Sequence, residues 1–271
     1  MIAFGSHENL LGYEILLRYR AELSHFVTTR TGGCSQGNYA SFNCSPYQGD
    51  DEICIRQNTE QLLTSLPQKP TAIVLPCQVH EDRCLQVEES YLRLSAEERT
   101  ALLQGVDALM TDVPGLCLCV STADCVPLLL YDPQHRAIAA IHAGWRGTVK
   151  HIVTNTVEAM NQAFGTRAND LIAAIGPSIS QTDFEVGIEV YQAFQAAGFD
   201  TSEIAYLHPQ TQKWHIDLWK ANRCLLLNAG LQLHNIEVAS LCTYTHHDMF
   251  FSARRLGIRS GRMLSGILLH T

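Results

Sequence analysis

Apolar positions fall along the chain in short runs, each closed by charge or by turn residues, and the runs switch between the helical and the extended period. Residues 24–51 are rich in Gly, Ser, Thr, Asn and Cys; His25 to Thr28 reads as a strand, and Gly32-Gly33 and Gly37-Asn38 punctuate the rest as a structured loop. The spacing over 52–66, ending in Leu62, Leu63 and Leu66, predicts an amphipathic helix. Residues 71–80 predict a buried strand. Ser95 with Glu98 forms a capping-box pattern that opens a short helix over 95–104. In the centre, 116–121 and 126–131 predict two strands separated by Thr122-Ala123-Asp124-Cys125, and a third runs from Arg136 into a turn bounded by Gly144 and Gly147. Val149, Ile152, Val153, Val157 and Phe164 keep helical spacing over 148–164. A strand from Asp170 ends at Gly176-Pro177; 185–197 and 217–229 predict helices, and 236–245 and 262–269 predict strands.

Strands and helices interleave without strict βαβ alternation. The pattern therefore predicts an α+β fold, one domain over 1–271 in which helices pack outside mixed β-sheets. At 271 residues, 46% hydrophobic and 17% charged, the chain can bury a core of that size. A net charge of -8 argues against a general nucleic-acid partner, since phosphate backbones are held by clustered Lys and Arg. No apolar run approaches the ~20 residues that span a bilayer. The first twenty residues lack a basic stretch followed by a long apolar core. The expectation is a cytoplasmic protein, with no membrane partner and with its ten cysteines reduced. No CxxC pair occurs, so any metal site has to be assembled from distant segments.

Three predicted strands lead to metal-capable residues: His80, Cys125 and His142. Two imidazoles and a thiolate suit Zn²⁺ and also tolerate copper. Three protein ligands leave a fourth position for water, whose pKa would fall towards ~7, as catalytic rather than structural sites require. Spacing alone carries little weight here. A strand-end His is more often structural, and a buried Cys is usually a small hydrophobe.

The ordered motifs add more. Thr28-Thr29-Arg30-Thr31-Gly32-Gly33, Gln78-Val79-His80, Ser121-Thr122-Ala123-Asp124-Cys125-Val126-Pro127, His142-Ala143-Gly144-Trp145-Arg146-Gly147, Ala174-Ile175-Gly176-Pro177, Phe250-Phe251-Ser252 with Arg254-Arg255, and Gly261-Arg262-Met263 resemble the laccase-domain family, also called YfiH/YlmD-like. The resemblance runs from about Ser24 to about Leu268. It implies a single α+β domain and a zinc site at His80, Cys125 and His142. It further implies phosphorolysis of adenosine, inosine, guanosine and methylthioadenosine, with adenosine deamination as a second activity, and places Arg254 among the substrate residues. Partners would be nucleoside and phosphate, and the protein a monomer or weak homodimer. Two departures stand out: Glu81 replaces a Gly beside the first ligand, and Ala253 and Leu256 replace an aromatic and an acid.

Other residues carry two readings each. Asp124 either exchanges protons with the leaving group or is a turn aspartate. Arg146 offers a planar fork to phosphate, against a surface ion pair. Arg30 lies in the Gly-rich loop, where backbone N–H groups suit an anion. Asn43 suits a sugar hydroxyl or a turn, and Phe251 and Trp145 suit a base or the core. Glu185 opens a predicted helix, where a carboxylate is favoured in any case. His246 and His247 are adjacent, so they rarely reach one metal together. Cys117 and Cys119 share a strand face and are expected in the core. The alternatives to nucleoside chemistry are a zinc amidase or peptidase acting on peptidoglycan precursors, a copper polyphenol oxidase, and a zinc-stabilised interaction module. The copper reading is disfavoured because none of the twelve histidines forms an HxH pair.

Overall fold

A computed structural model describes residues 1–3 and 9–271, so part of the N-terminal stretch read for a leader lies outside the described residues. Two six-stranded sheets dominate. The first runs, in spatial order, Ile2–Ala3, Leu10–Gly12, Leu23–Thr28, Met263–Leu269, Leu116–Thr122 and Ala72–Val74. The second runs Ile236–Val238, Ile172–Ile175, Val126–Asp132, Ala137–Ala143, Ala108–Thr111 and Cys84–Gln86. Pairings are mostly antiparallel. The parallel ones are Ala72–Val74 with Leu116–Thr122, Ile172–Ile175 with Ile236–Val238, and Cys84–Gln86 with Ala108–Thr111. A small third sheet holds Glu185–Val186, Trp214–Ile216 and Ala205–Leu207. Mixed sheets with helices outside them make the α+β fold expected from the sequence.

Strand alternation sorts side chains into layers. Leu116, Leu118 and Val120 of the first sheet meet Leu129, Tyr131, Ile138 and Ala140 of the second, forming the core between the sheets. Leu128, Leu130, Ala139 and Ile141 point the other way, onto the helices Ile152–Phe164, Ile188–Ala196 and Leu218–Asn228. Cys117, Cys119 and Leu264 face Leu62 of helix Glu52–Ser65. Both faces of the central strands are covered, which is why they read as unbroken apolar runs.

The sequence-level elements are found with specific changes. The strand expected over 71–80 is ordered as strand only at Ala72–Val74. The helix expected over 148–164 is two, Trp145–Val149 and Ile152–Phe164, broken where His151 takes φ 60. The helix expected over 185–197 starts at Ile188, after a two-residue strand at Glu185–Val186. The strand expected over 236–245 stops at Val238, just before Ser240 at φ 52. The expected capping box at Ser95 and Glu98 is present. Among the described residues, no helix is long and apolar enough to cross a membrane.

Candidate metal centre

Strand Leu116–Thr122 belongs to one sheet and Val126–Asp132 to the other, so Ala123-Asp124-Cys125 is the point where the chain crosses between them. His142 is the penultimate residue of strand Ala137–Ala143, and its register partner is Pro127. His80 comes from a loop, not a strand end. The donor atoms of His80, Cys125 and His142 all lie within 4.8 Å of one another. The two imidazoles meet edge-on, with centroids 4.8 Å apart. Gly144 leaves the room this needs, since a Cβ there would stand 3.0 Å from both Cys125 Sγ and His80 Cδ2. His80 and Asp124 both carry positive φ, 66 and 85, as residues held in place by a functional site often do.

Asp107, fully buried, organises the trio. Its Oδ1 accepts from His142 Nδ1 at 2.7 Å and from the backbone N–H of His80 at 3.0 Å. Its Oδ2 accepts from the backbone N–H of Val79 and of Glu81, at 3.1 and 3.0 Å. Because a carboxylate only accepts, Nδ1 of His142 is the donor and Nε2 is the nitrogen left for a metal. Burial pulls the ring's pKa down, but Cys125 and Asp107 outweigh it and raise it to about 9, so Nε2 gives up a proton when a metal binds. Burial pushes the Asp107 carboxyl up, but the His142 bond and those backbone donors outweigh it and hold it below its ordinary value. Burial likewise pushes the Cys125 thiol up, and the charges and hydrogen bonds of His142 and His80 bring it down to about 6. A thiolate near neutral pH needs little proton displacement to bind a cation.

The trio lines a cavity of about 690 Å³. Arg254, Arg259 and Arg262 line the same space, and among the described lining residues Asp124 is the only carboxylate. A chain with net charge -8 thus keeps a cationic cavity. The Arg262 fork is fixed by carbonyls: Nη1 donates to Ser260 O at 2.7 Å and Nη2 to Ile258 O at 2.8 Å. Asp124 Oδ1 accepts from Thr243 Oγ1, and Oδ2 from the Arg254 backbone N–H, both at 2.6 Å. Arg254 in turn donates to Glu185 O at 3.1 Å and lies over the Phe184 ring.

Of the sequence candidates, His80, Asp124, Cys125, His142, Trp145 and Arg254 line the cavity. Arg146 is exposed, outside the lining, with its guanidinium 4.4 Å from the Trp145 centroid. Arg30 donates to Ala40 O and His247 O and covers Phe251, itself fully buried and packed on Gly261. Asn43 is buried; its Oδ1 accepts from the backbone N–H of Ser45 and Arg262, and its Nδ2 donates to Ser45 O and Asp50. Glu185 pairs with Lys213 at 2.9 Å, and neither His246 nor His247 lines the cavity. Glu81 pairs with Lys150, so its carboxylate is engaged away from the ligands. Sequence reasoning missed Asp107, Arg259 and the roles of Arg262 and Phe184. Arg262 stands in the Gly261-Arg262-Met263 motif; nothing near Asp107 in sequence announces a partner at His142.

The family model described as multi-copper polyphenol oxidoreductase laccase matches residues 24–270. A purine nucleoside phosphorylase of Bacteroides thetaiotaomicron is 55% identical over 270 residues, covering 100% of both chains. A protein named adenosine deaminase, from an unknown prokaryotic organism, is 42% identical, over 89% of this chain and 92% of its own. The YlmD crystal structure from Geobacillus stearothermophilus superposes with a TM-score of 0.89 at 30% identity, covering 99% of each chain. That of the hypothetical protein YfiH from Bacillus licheniformis does so with a TM-score of 0.88 at 31% identity, covering 97% of each.

Proposed function

The chain belongs to the laccase-domain family, and on that premise we propose that it is a zinc-dependent purine nucleoside phosphorylase that also deaminates adenosine. The observation that carries this reading is the convergence of His80, Cys125 and His142 on a cavity with a cationic wall. The donor set fits Zn²⁺ and tolerates copper; when bound, the metal supplies Lewis-acid polarisation. Adenosine, inosine, guanosine and methylthioadenosine, each with phosphate, are the proposed substrates. The cavity volume of about 690 Å³ suits a nucleoside better than a peptidoglycan fragment.

The chain's own residues divide the work. Trp145 and Phe184 offer ring faces to the planar purine. Arg262 and Arg259 take the phosphate, the first with its fork already held in place. Asp124, the one described carboxylate of the lining, exchanges protons with the departing purine or ammonia. Arg254 frames the substrate beside Phe184, and Arg146 steadies Trp145 from outside. Asn43, Arg30 and Phe251 act from behind the wall, Asn43 by holding the Arg262 backbone. A multi-copper oxidase would need more imidazoles than this trio, the one such donor group found among the described residues.

The test is to incubate metal-defined protein with adenosine and phosphate and identify products by mass spectrometry. Adenine with ribose 1-phosphate, together with inosine or hypoxanthine, is expected, and a chelator should suppress both. No nucleoside turnover at any metal loading, with cleavage of a peptidoglycan precursor peptide instead, overturns the reading.

A further inference from the structure

Helix Glu52–Ser65 and the loop that follows Gly33 meet along a polar seam outside the cavity. Asn58, buried in that seam, ties the loop down: its Oδ1 accepts from the Cys34 backbone N–H at 3.0 Å, and its Nδ2 donates to Ser35 Oγ, Ser41 O and Asn43 O. Cys54 lies one helical turn before Asn58, on the same face. The thiols of Cys34 and Cys54 therefore meet. Cys34 Sγ stands 3.5 Å from Cys54 O, and Cys54 Sγ 3.3 Å from Cys34 O. Each thiol rests against the other residue's backbone, and both side chains are partly exposed.

We propose that Cys34 and Cys54 form a reversible disulfide, a modification site separate from the metal centre. The oxidant is a low-molecular-weight disulfide such as oxidised glutathione. One cysteine thiolate attacks it, forming a mixed disulfide and releasing one thiolate; the second cysteine thiolate attacks the protein sulfur of that bond and expels the other. Two protons leave the protein, its two sulfurs are oxidised, and the small disulfide receives two electrons and becomes two thiols. The bond closes a segment whose ends are twenty positions apart and which carries Tyr47 and Gln48 of the cavity wall. The contact with Cys34, followed by burial, pushes the Cys54 thiol up to about 11, so closure should quicken as pH rises from neutrality.

The experiment uses the full chain with its metal bound, treated with oxidised glutathione, alkylated and digested. The expected product is a peptide joining Cys34 to Cys54, intact mass lower by two hydrogens, reversed by dithiothreitol. In Cys34→Ser the closure cannot complete, so a stable glutathione adduct on Cys54 should accumulate; Cys54→Ser should trap the adduct on Cys34. Two separate adducts in the parent chain, free Cys34 and Cys54 after treatment, or Cys34 joined to Cys44 instead would overturn the proposal.

Discussion

Asp107 fixes which nitrogen of His142 is the donor: the 2.7 Å bond from Nδ1 to Oδ1 leaves Nε2 as the nitrogen free to take a metal. The same carboxylate gathers the backbone N–H groups of Val79, His80 and Glu81, so one buried side chain orients candidate ligands from two separate segments. Asp107→Asn keeps one carbonyl acceptor where two oxygens now take four bonds. Metal affinity should fall about 10–100-fold. The metal-free chain should lose about 1–3 kcal/mol through the backbone donors left unpaired. Competitive chelator titration and urea unfolding of the apoprotein measure the two effects; unchanged affinity would remove Asp107 from the centre.

Cys125→Ser tests the ligand set directly. A hydroxyl stays protonated where this thiol is already brought down to about 6, so most metal should be lost. Cys125 sits at a sheet-to-sheet crossing made by backbone pairing rather than by its side chain, so the variant should keep its far-ultraviolet circular dichroism. One metal per chain and normal turnover in this variant would rule out the thiolate as a ligand.

The proposed phosphate site separates two arginines. Arg262 is fixed by carbonyls in the cavity wall, whereas Arg146 is exposed and stacked on Trp145. Arg262→Lys loses the planar fork and should weaken inosine phosphorolysis by one to two orders of magnitude, or ~1.4–3 kcal/mol, mostly in the phosphate KM. Arg146→Lys should change it no more than about threefold, an effect within ~0.7 kcal/mol. Adenosine deamination, which needs no phosphate, should fall less than phosphorolysis in Arg262→Lys. Equal losses of both activities would assign Arg262 to the fold or to the metal.

What the sequence disclosed follows the range of the forces involved. Strands such as Leu116–Thr122 and Met263–Leu269 were legible because covered faces on both sides leave an apolar run. The helix cap at Ser95 acts within one turn and was equally plain. The stretch before His80 looked like a strand, yet past Val74 its polar backbone is held by Asp107, far along the chain. Phe251 could be read for a base or for the core, and Gly261 offers its ring a bed in the core. Asn43 could be read for a sugar hydroxyl or a turn, and its carboxamide is spent on Ser45, Asp50 and Arg262. For His80 and for the Arg262 bond of Asn43 the deciding partner is remote in sequence, where no spacing rule reaches.

His25 gives the fold a pH dependence of its own. It lies in the central part of the first sheet, 1% exposed, and its Nε2 accepts from the Tyr13 backbone N–H at 2.8 Å. Burial lowers its pKa from the ordinary 6.5 to about 4, against a smaller upward pull from the Tyr13 bond. The folded pKa lies below the unfolded one, so between those values the unfolded chain binds a proton that the folded chain refuses. The stabilisation is therefore complete above pH 6.5 and is lost progressively as pH falls towards 4. Between pH 7 and pH 5 the loss should be about 2 kcal/mol. His25→Gln places an amide acceptor near the Nε2 position and does not titrate. Urea unfolding of parent and variant at both pH values isolates the effect, because the other titrating groups are common to the two. The parent should lose more stability than the variant on acidification, by that amount; equal losses would mean that His25 titrates alike in the folded and unfolded chains.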